Sequence, residues 1–361
     1  MSSIEQRETR ITVTGESLVD VVVDERGHQT RKPGGSPLNV AVGLGRLGHA
    51  VELRTSYGDD TDGALIRAHL DSSLVRVDRA HAESTSTAMA RIAPDGSASY
   101  EFAVTWDLPA SPLPVTSRIL HAGSIAAALE PGRKAVVAAM RGGRERGVVT
   151  FDPNVRPAFM GPRDEQRAYT EQLFAFSDLV KLSDEDADWL YPSWSLDAVS
   201  ERILDLGASL AVITRGAAGT HLTSRWAFVD APTNAHPTSV VDTIGAGDSY
   251  MAGLISATSL LVDAGASLAE LRAGRAFTEE VLEGFASLAG RCSALTVQRT
   301  GADLPWAEEM AGPAAEAHGS ELDGGGSEPG QGPGSTRVLR SPPPEPRLRA
   351  CPVGSIRLSG S

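Results

Sequence analysis

Residues 240–256 read VVDTIGAGDSYMAGLIS, a succession that is typical of a strand, a tight turn and a helix. The two valines predict the end of the strand, and the small and apolar residues of 249–256 predict the helix. Gly245, Ala246 and Gly247 would form the turn between them. Backbone N–H groups at such a helix start point out along the helix axis and stabilise negative charge. The three residues therefore predict an anion-binding turn, called the anion cradle below.

A carboxylate, Asp248, directly follows the anion cradle and would repel the anion that the cradle attracts. One explanation is structural, because an acidic side chain stabilises the first turn of a helix. The other explanation is catalytic. An alcohol that attacks a phosphoryl group loses its proton, and a carboxylate within hydrogen-bond reach can accept that proton. Such a base must lie beside the cradle, since the alcohol and the phosphoryl group meet there.

Short apolar runs alternate with helical stretches through the middle of the chain. The runs are ILHAG (119–123), VVTFDPN (148–154), LVKLS (179–183) and LAVITRG (210–216). This repeated succession of strand and helix predicts a mostly parallel sheet that is covered by helices on both faces.

The β-rich runs near the N-terminus do not follow this rhythm. Residues 11–23 predict two strands around a glycine turn, and residues 87–93 and 98–104 flank the turn signal Pro94-Asp95-Gly96. Turn chemistry between two β-rich runs indicates a hairpin. We therefore expect a small separate sheet in this part of the chain.

The composition narrows the classes of protein to consider. The 361 residues carry a formal net charge of −13 and a pI of about 5.1. This argues against nucleic acid as a partner, because phosphate contacts need a basic face. Two cysteines are too few for a disulfide framework or a zinc cluster. The N-terminus shows no apolar signal segment, and no apolar run reaches the roughly 18 residues of a membrane span. We therefore expect a cytoplasmic protein without a membrane partner.

The segment Gly43-Leu-Gly45-Arg-Leu-Gly48 matches the dinucleotide fingerprint G-x-G-x-x-G. That fingerprint needs a strand directly before it, whereas the preceding Asn39-Val-Ala-Val already looks helical. We interpret the glycines as sites of close helix packing, with Gly48 ending the helix. A nicotinamide dehydrogenase is the rival interpretation, and NADH binding would reveal it.

Two separated motifs carry a family resemblance. Residues 242–253 resemble the C-terminal signature of the ribokinase-like (PfkB) carbohydrate kinases, and residues 34–48 resemble the N-terminal signature of the same family. Further matches are Asp152-Pro-Asn-Val-Arg156, Lys181-Leu-Ser183-Asp-Glu-Asp186, Thr214-Arg-Gly216-Ala-Ala-Gly219 and Arg299-Thr-Gly301-Ala. The segment from Asp152 is similar to that of fructokinases and 2-keto-3-deoxygluconate kinases more than to that of ribokinases. The overall pattern resembles fructokinases most.

The resemblance covers residues 10–310 and implies a three-layer α/β/α domain of the ribokinase-like fold, with a mostly parallel central sheet. It also implies a small β-sheet lid, formed by about residues 18–31 and 85–104, that would close over the sugar. Residues 311–361 lie outside the resemblance. They are rich in Gly, Pro and Ser and lack aromatic residues, so we expect a disordered tail.

The resemblance also assigns roles to single residues. It implies that Asp248 is the catalytic base and that Gly245, Ala246 and Gly247 stabilise the transferring phosphoryl group. The residues expected to bind the sugar are Asp20, Gly35, Asn39, Arg91, Asn154 and Arg156, with Met89, Tyr100 and Phe102 nearby. The residues expected to bind ATP are Ser183, Thr214, Gly216, Gly219 and Gly247. Structural alternatives stay open, since Asn39 would also suit a helix N-cap and Arg91 an exposed strand position.

Two aspartates are candidate cation ligands. The family often carries Asn-x-x-Glu where this chain has Ser183-Asp-Glu-Asp186. Asp186 would therefore order the waters of Mg²⁺ with a side chain that is one methylene shorter, and Glu185 is its alternative. Asp242 lies where many family members bind a monovalent cation, which makes K⁺ a second candidate ion.

The function implied is an ATP-dependent sugar kinase that phosphorylates a primary hydroxyl, with D-fructose first among the sugars. 2-Keto-3-deoxygluconate is the alternative, followed by another ketose or a ribose-like sugar, because Arg156 would suit a sugar acid as well as a neutral ketose. The rival from another class is a non-catalytic homologue that binds nucleotide or sugar for regulation. Family members often pair their lids, so a homodimer is a further expectation.

Overall fold

The computed structural model describes residues 11–92, 98–109, 111–114, 116–233 and 239–311. The N-terminal ten residues, the turn signal Pro94-Asp95-Gly96 and residues 312–361 of the expected 311–361 tail lie outside the described residues. The strands are β1 (Ile11–Thr14), β2 (Leu18–Val23), β3 (Gln29–Gly34), β4 (Val51–Tyr57), β5 (Arg76–His81), β6 (Ser86–Ile92), β7 (Ala98–Ala103), β8 (Ile119–Gly123), β9 (Val148–Asp152), β10 (Leu179–Ser183), β11 (Leu210–Thr214), β12 (Thr220–Ser224) and β13 (Phe228–Ala231). The α-helices are α1 (Ser36–Arg46), α2 (Thr61–Ser72), α3 (Arg133–Arg146), α4 (Arg163–Phe174), α5 (Asp184–Leu190), α6 (Leu196–Leu206), α7 (Ala246–Asp263), α8 (Leu268–Arg272) and α9 (Glu279–Thr296). Within the described residues, none of these helices has the length and apolar content needed to cross a bilayer.

The larger sheet has the strand order β13-β12-β11-β10-β9-β8-β1-β4-β5. The strands from β5 to β11 in this order are parallel, and β12 and β13 are added antiparallel at one edge. The mostly parallel central sheet is therefore confirmed, and each of the four predicted apolar runs supplies one strand, from β8 to β11. The strand order reverses at β1, which pairs with both β4 and β8. Ligands in such sheets bind outside the carboxyl ends of the strands.

Both faces of this sheet are buried. Along β11, Leu210 and Val212 belong to one apolar cluster, whereas Ala211 and Ile213 belong to another. Successive side chains of a strand point to opposite faces, so the two clusters lie on the two faces of the sheet. The first cluster includes residues of α1, α2, α7 and α9, and the second includes residues of α3 to α6. This is the three-layer α/β/α arrangement that the sequence predicted.

A second, smaller sheet has the strand order β3-β2-β6-β7. The strands β6 and β7 pair antiparallel, with Ile92 opposite Ala98, so the predicted hairpin is confirmed. The strand β2 pairs antiparallel with β3 and parallel with β6. One face of β2 joins the apolar core through Val19 and Val21, which are fully buried. The opposite face carries Asp20, and this is the small sheet that the sequence predicted.

The three glycines of the dinucleotide-like segment lie in and after α1. A methyl group on Gly43 would clash with the Leu304 side chain, and one on Gly45 would clash with the carbonyl oxygen of Ser73. Gly48 has φ of 88° and donates its N–H to the Gly45 carbonyl at 3.0 Å, which is a glycine ending of a helix. The glycines therefore serve close packing and helix termination.

The prediction that a strand ends at Val240 and Val241 is wrong. Residues 239–243 form neither strand nor helix, and the two valine side chains are 63% and 57% exposed. A strand needs a neighbouring strand for its backbone bonds, but the N–H of Val241 donates instead to the carbonyl of Val297, just after α9, at 2.8 Å. The chain thus enters α7 from a loop, and the helix begins at Ala246 rather than at Ser249.

Candidate active site

A cavity of about 1730 Å³ is lined by residues at the carboxyl ends of β9, β10 and β11 and by residues of the small sheet. Most of the residues singled out from the sequence meet there. They are Asp20, Gly35, Asn39, Asn154, Arg156, Ser183, Asp186, Thr214, Gly216, Asp242, Gly245, Gly247 and Asp248. The fold thus gathers segments that are far apart in the chain at the sheet edge where ligands are expected.

Asp248 is the third residue of α7 and is buried. Its Oδ1 accepts a hydrogen bond of 2.6 Å from the Ser36 hydroxyl, and its Oδ2 accepts one of 2.8 Å from the Asn39 side-chain amide. Both donors belong to the first turn of α1, whose N-cap is Gly35 rather than Asn39. The starts of two helices therefore meet at this carboxylate. Each carboxylate oxygen keeps a further lone pair, so Asp248 can still accept a proton from a hydroxyl in the cavity.

The anion cradle forms the start of α7. Gly245 is the N-cap, with φ of 78°, and a side chain there would bring its Cβ within 2.5 Å of the Ala302 Cβ. The N–H of Ala246 donates to the Thr243 carbonyl at 3.2 Å. Gly247 and the residue after it hold the second and third helical positions, whose N–H groups have no acceptor within the helix. The cradle therefore presents N–H groups and a positive helix end directly beside the buried carboxylate.

A buried ion pair lies against the anion cradle. Lys181, in β10, donates to Oδ2 of Asp152 at 2.8 Å, and the two side chains are 5% and 2% exposed. The Nζ of Lys181 is 3.2 Å from the place that a Cβ on Gly247 would take. Burial alone would lower the pKa of Lys181, but the charge and hydrogen bond of Asp152, together with the charges of Asp186 and Asp248, hold that pKa above its usual value. A charged ammonium group therefore adds positive charge beside the anion cradle.

Two further carboxyl groups, Glu16 and Asp20, line the cavity. Burial raises the pKa of Glu16 to about 7 and the pKa of Asp20 to about 6, and the charge of Asp248 adds to both shifts. Glu16 is only 3% exposed, and its Oε2 accepts the N–H of Ala126 at 3.0 Å. This part of the cavity therefore offers several carboxyl oxygens to the hydroxyl groups of a ligand. It is unfavourable for a ligand that carries a negative charge of its own.

Asn154 and Arg156 follow β9 and line the cavity as expected. Asn154 has φ of 38°, and its N–H donates to Oδ1 of Asp152 at 3.1 Å. Arg156 is exposed and donates from Nη1 to the carbonyl of Val155 at 3.0 Å. The backbone of Asn154 is thus held in a tight turn, whereas the guanidinium group of Arg156 donates to the carbonyl of Val155.

Three of the expected ATP-binding residues line the cavity at the ends of β10 and β11: Ser183, Thr214 and Gly216. Gly219 does not line it. Gly219 has φ of 96°, and a side chain there would clash with the Ala231 carbonyl, so this glycine serves the turn that leads into β12.

Asp186 has a structural role in addition to any cation contact. Its Oδ1 accepts the N–H of Val155 at 2.9 Å, and its Oδ2 accepts the N–H of Ser183 at 3.1 Å as part of a capping box at α5. Burial, followed by the charge of Asp152, raises its pKa. Glu185 is exposed and also lines the cavity. Among the described residues, no three acidic, histidine or cysteine side chains converge into a complete metal site.

Asp242 holds two backbone segments together. Its Oδ1 accepts the N–H of Ile244 at 3.0 Å, and its Oδ2 accepts the N–H of Gly301 at 2.8 Å. Carboxylate and nearby carbonyl oxygens have the chemistry that a monovalent cation needs. The observed contacts show that Asp242 fixes the loop before the anion cradle to the segment around Gly301.

The structure does not bring Arg91 to the cavity. Ala88 and Ala90 of the same strand line it, and alternate residues of a strand face opposite sides of the sheet. Arg91 is exposed, and Met89 packs against the apolar core, so the expected sugar contact from Arg91 is not supported. Phe102 does line the cavity, as expected, and contacts Phe159 edge-on at 4.8 Å. The side chain of Tyr100 lies outside the described residues.

Sequence reasoning missed three residues of this site: Glu16, Ser36 and Lys181. One of them carried a signal, because Lys181 is a charged residue within an otherwise apolar β run, LVKLS, whereas Glu16 lies in the glycine turn between two β runs. A charged residue in such a run is rarely buried without a partner. Ser36 carried no comparable signal, because its contact with Asp248 depends on how α1 and α7 meet.

Comparisons with known proteins agree with the geometry. The model of the family described as "pfkB family carbohydrate kinase" matches residues 8–309. The chain is 34% identical over 263 residues to a fructokinase from Klebsiella pneumoniae, which covers 68% of this chain and 83% of that protein. It is 31% identical over 321 residues to a fructokinase from Salmonella typhimurium, which covers 83% of this chain and 98% of that protein.

Among solved structures, the fold is similar to that of a fructokinase double mutant from Vibrio cholerae O395, which was determined with fructose, ADP and potassium ion bound. The TM-score is 0.69 and the sequence identity is 26%, with 82% of this chain and 94% of that chain covered.

Proposed function

This chain belongs to the pfkB family of carbohydrate kinases, and we propose that D-fructose is the sugar that it phosphorylates with ATP. The observation that carries the proposal is the arrangement around Asp248. A buried carboxylate, an anion cradle and a buried ammonium group adjoin one cavity, which is also lined by carboxyl groups suited to a polyol. Such a site can deprotonate a hydroxyl and stabilise a phosphoryl group at the same place.

In the mechanism that we propose, Asp248 accepts the proton of a primary sugar hydroxyl as that hydroxyl attacks the γ-phosphoryl group of ATP. The hydrogen bonds from Ser36 and Asn39 support this role, because they fix the direction of the carboxylate without using all of its lone pairs. Positioning of the base and the hydroxyl in one geometry removes much of the entropic barrier.

The N–H group of Gly247, in the cradle, and that of Asp248, directly after it, would face the oxygens of the transferring phosphoryl group. The ammonium group of Lys181 would add positive charge at the same position. Asp152 supports this role, because its carboxylate keeps Lys181 charged although the side chain is buried. ATP would approach along the carboxyl ends of β10 and β11, where Ser183, Thr214 and Gly216 line the cavity.

The residues present fit a magnesium ion that is held mainly by the nucleotide. Mg²⁺ keeps several waters and binds substrate phosphates with one or two carboxylates. Asp186, with Glu185 as the alternative, would order those waters from the cavity wall. The bound ion would neutralise charge on the phosphate oxygens. Asp242, which lines the cavity at the loop before the cradle, would be the carboxylate ligand of K⁺.

The electrostatics favour a neutral ketose over 2-keto-3-deoxygluconate. Burial raises the pKa of Glu16 and of Asp20, and the charge of Asp248 adds to both shifts, so this part of the cavity already disfavours negative charge. The carboxylate of a sugar acid would add a further negative charge to this group. Arg156 is the cation that the sequence suggested for a sugar acid, but that side chain is exposed, where a charge pair contributes little. Asp20, Gly35, Asn39 and Asn154 remain the proposed sugar contacts.

A panel assay tests the proposal. ADP release and sugar phosphate would be measured at fixed Mg-ATP with D-fructose, 2-keto-3-deoxygluconate, D-ribose and D-glucose, and with no sugar. We expect kcat/KM for D-fructose to exceed that for every other sugar by about tenfold or more, which corresponds to about 1.4 kcal/mol of differential transition-state binding. A higher value for the sugar acid would contradict the choice of fructose. No phosphorylation of any sugar would contradict kinase activity of this chain.

Two broader expectations stay predictions. The need for ATP supports the cytoplasmic location that the sequence predicted. A homodimer that pairs the small sheets is a prediction by analogy with the family, and light scattering at several protein concentrations would test it.

A further inference from the structure

Lys32, in β3 of the small sheet, reaches a distant segment of the chain. Its ammonium group donates a hydrogen bond of 3.2 Å to the carbonyl of Thr300, which is 268 positions away. The same Nζ lies 3.0 Å from the place that a Cβ on Gly301 would take. Lys32, Thr300 and Gly301 all line the cavity. A single side chain therefore connects the small sheet to residues 300–302, called the backing segment below.

The backing segment supports the anion cradle from behind. The Ala302 Cβ occupies the space beside Gly245, where a Cβ on the glycine would come within 2.5 Å of it. The N–H of Gly301 donates to Asp242 at 2.8 Å, and the same carboxylate accepts the N–H of Ile244 at 3.0 Å. A shift of the backing segment would therefore shift the residues that shape the cradle.

The other end of the connection lies at the proposed sugar site. Lys32 is directly opposite Asp20 in the strand register, so both side chains are on the cavity face of the small sheet. Although a carboxylate lies across from it, the ammonium group donates to Thr300. The connection thus runs from the strand pair that carries a proposed sugar contact to the backbone that supports the phosphoryl site.

We propose that Lys32 is a positioning residue that fastens the small sheet to the backing segment and so couples closure over the sugar to the shape of the anion cradle. This inference rests on the proposed sugar kinase function. Lysine suits the role, since its ammonium group has three donors on a long flexible stem and can release and reform the bond as the sheet moves. When the bond is absent, water enters the cavity and competes with the sugar for the phosphoryl group.

The substitution Lys32→Met removes the donor but keeps most of the apolar stem. We expect kcat for sugar phosphorylation to fall about tenfold, the scale of one lost hydrogen bond to a charged group. We also expect the amount of ADP released per sugar phosphate formed to rise above one, because water then takes part of the phosphoryl groups. Lys32→Arg retains a donor and should restore most of the kcat and the ratio.

Arg31→Met is the matched control. Arg31 precedes Lys32 in β3 but binds Asp62 of α2 through two hydrogen bonds of 2.8 and 2.6 Å, away from the backing segment. The two substitutions remove the same charge from adjacent positions of one strand. We expect Arg31→Met to keep the wild-type kcat and an ADP to sugar phosphate ratio of one. An equal effect of both variants would overturn the inference, because the sheet as a whole would then be responsible.

A double-mutant cycle separates positioning from a direct sugar contact. Lys32 and Asp242 hold the same backing segment, so Lys32→Met and Asp242→Asn should have less than additive effects on kcat. Additive effects would overturn the inference. So would a Lys32→Met variant in which only KM for the sugar rises, with kcat and the product ratio unchanged, since that pattern belongs to a residue that contacts sugar.

Hydrogen exchange provides a readout that does not depend on catalysis. In the ligand-free protein, amides of 299–303 should exchange faster in Lys32→Met than in Arg31→Met or the wild type, because the segment loses an anchor. Equal exchange in all three proteins would overturn the inference. Absence of kinase activity in the wild type would contradict the proposed function instead, so the two failures can be told apart.

Discussion

Asp248 shows how much of the proposed chemistry depends on one carboxylate and the two side chains that hold it. Asp248→Asn removes the proton acceptor but keeps the size of the side chain. We expect kcat to fall by about 10²- to 10⁴-fold, the usual contribution of a positioned general base. The dissociation constants for ATP and the sugar, measured by calorimetry, should change by no more than about threefold, since neither depends on proton transfer. A variant with nearly wild-type kcat would show that another group accepts the proton.

Glu16 makes a pH-dependent contribution to stability. Its pKa is raised by burial from 4.5 to about 7 in the folded protein. Between these two values the unfolded chain loses the proton while the folded protein keeps it, so the free energy of unfolding falls as pH rises and levels off above pH 7. At 1.36 kcal/mol for each pKa unit, the folded protein loses about 3 kcal/mol from this group.

Glu16→Gln should remove this dependence, because glutamine stays neutral at every pH. Relative to the wild type, we expect the variant to gain about 2 to 3 kcal/mol of unfolding free energy between pH 5 and pH 8. Urea unfolding at the two pH values measures this difference. Glu25→Gln, at an exposed position, controls for the loss of one carboxyl group. An equal difference between variant and wild type at both pH values would show that Glu16 is ionised in the folded protein.

At the scale of the element, the start of α7 separates a packing glycine from a binding glycine. Gly245→Ala forces a side chain into the left-handed region and against Ala302, so we expect a loss of about 2 kcal/mol or more of stability together with most of the activity. A Cβ on Gly247 meets only Lys181, at 3.2 Å. Gly247→Ala should therefore melt within a few degrees of the wild type.

The activity of Gly247→Ala should nevertheless fall by about 100-fold, because the added methyl group takes space that faces the proposed phosphoryl position. Thermal melting and a coupled ADP assay on both variants measure the two effects. If Gly247→Ala keeps its kcat, the phosphoryl group does not bind at the cradle. If Gly245→Ala keeps its melting temperature, the packing against Ala302 is weaker than its geometry indicates.

Elements that are defined by local sequence signals could be predicted, and elements that depend on contacts with distant parts of the chain could not. The strands β8 to β11 and the hairpin of β6 and β7 were predicted, since apolar runs and turn residues are local signals. The strand at Val240 and Val241 was not correct, because strand formation depends on a partner that the local sequence does not show. The family resemblance placed Asp248 at the site, but its contact with Ser36 arises only when α1 and α7 pack together.

At the scale of the whole molecule, the last described residues complete the kinase fold. Leu304 is fully buried and fills the space beside Gly43 of α1. Arg46, the last residue of α1, donates to the Leu304 carbonyl at 2.6 Å, and its own carbonyl accepts the N–H of Ala307 at 3.0 Å. The guanidinium group of Arg46 also lies over the Trp306 ring, 5.2 Å from its centre. The packed domain thus extends beyond residues 300–302 and includes residues 304–307.

We therefore propose that residues after 313 are dispensable for catalysis, whereas residues 304–310 are part of the domain, and two truncations test this. A chain ending at residue 313 should melt within about 2 °C of the full chain and keep kcat/KM within about twofold.

A chain ending at residue 303 leaves a cavity where the Leu304 side chain packs, and loss of a buried leucine costs about 2 to 5 kcal/mol. This shorter chain should melt at least about 4 °C lower, by differential scanning fluorimetry, or fail to fold. Loss of activity in the chain ending at 313 would show that the C-terminal tail takes part in the reaction. Equal stability of both truncations would show that the packing of 304–310 on α1 contributes little to the fold.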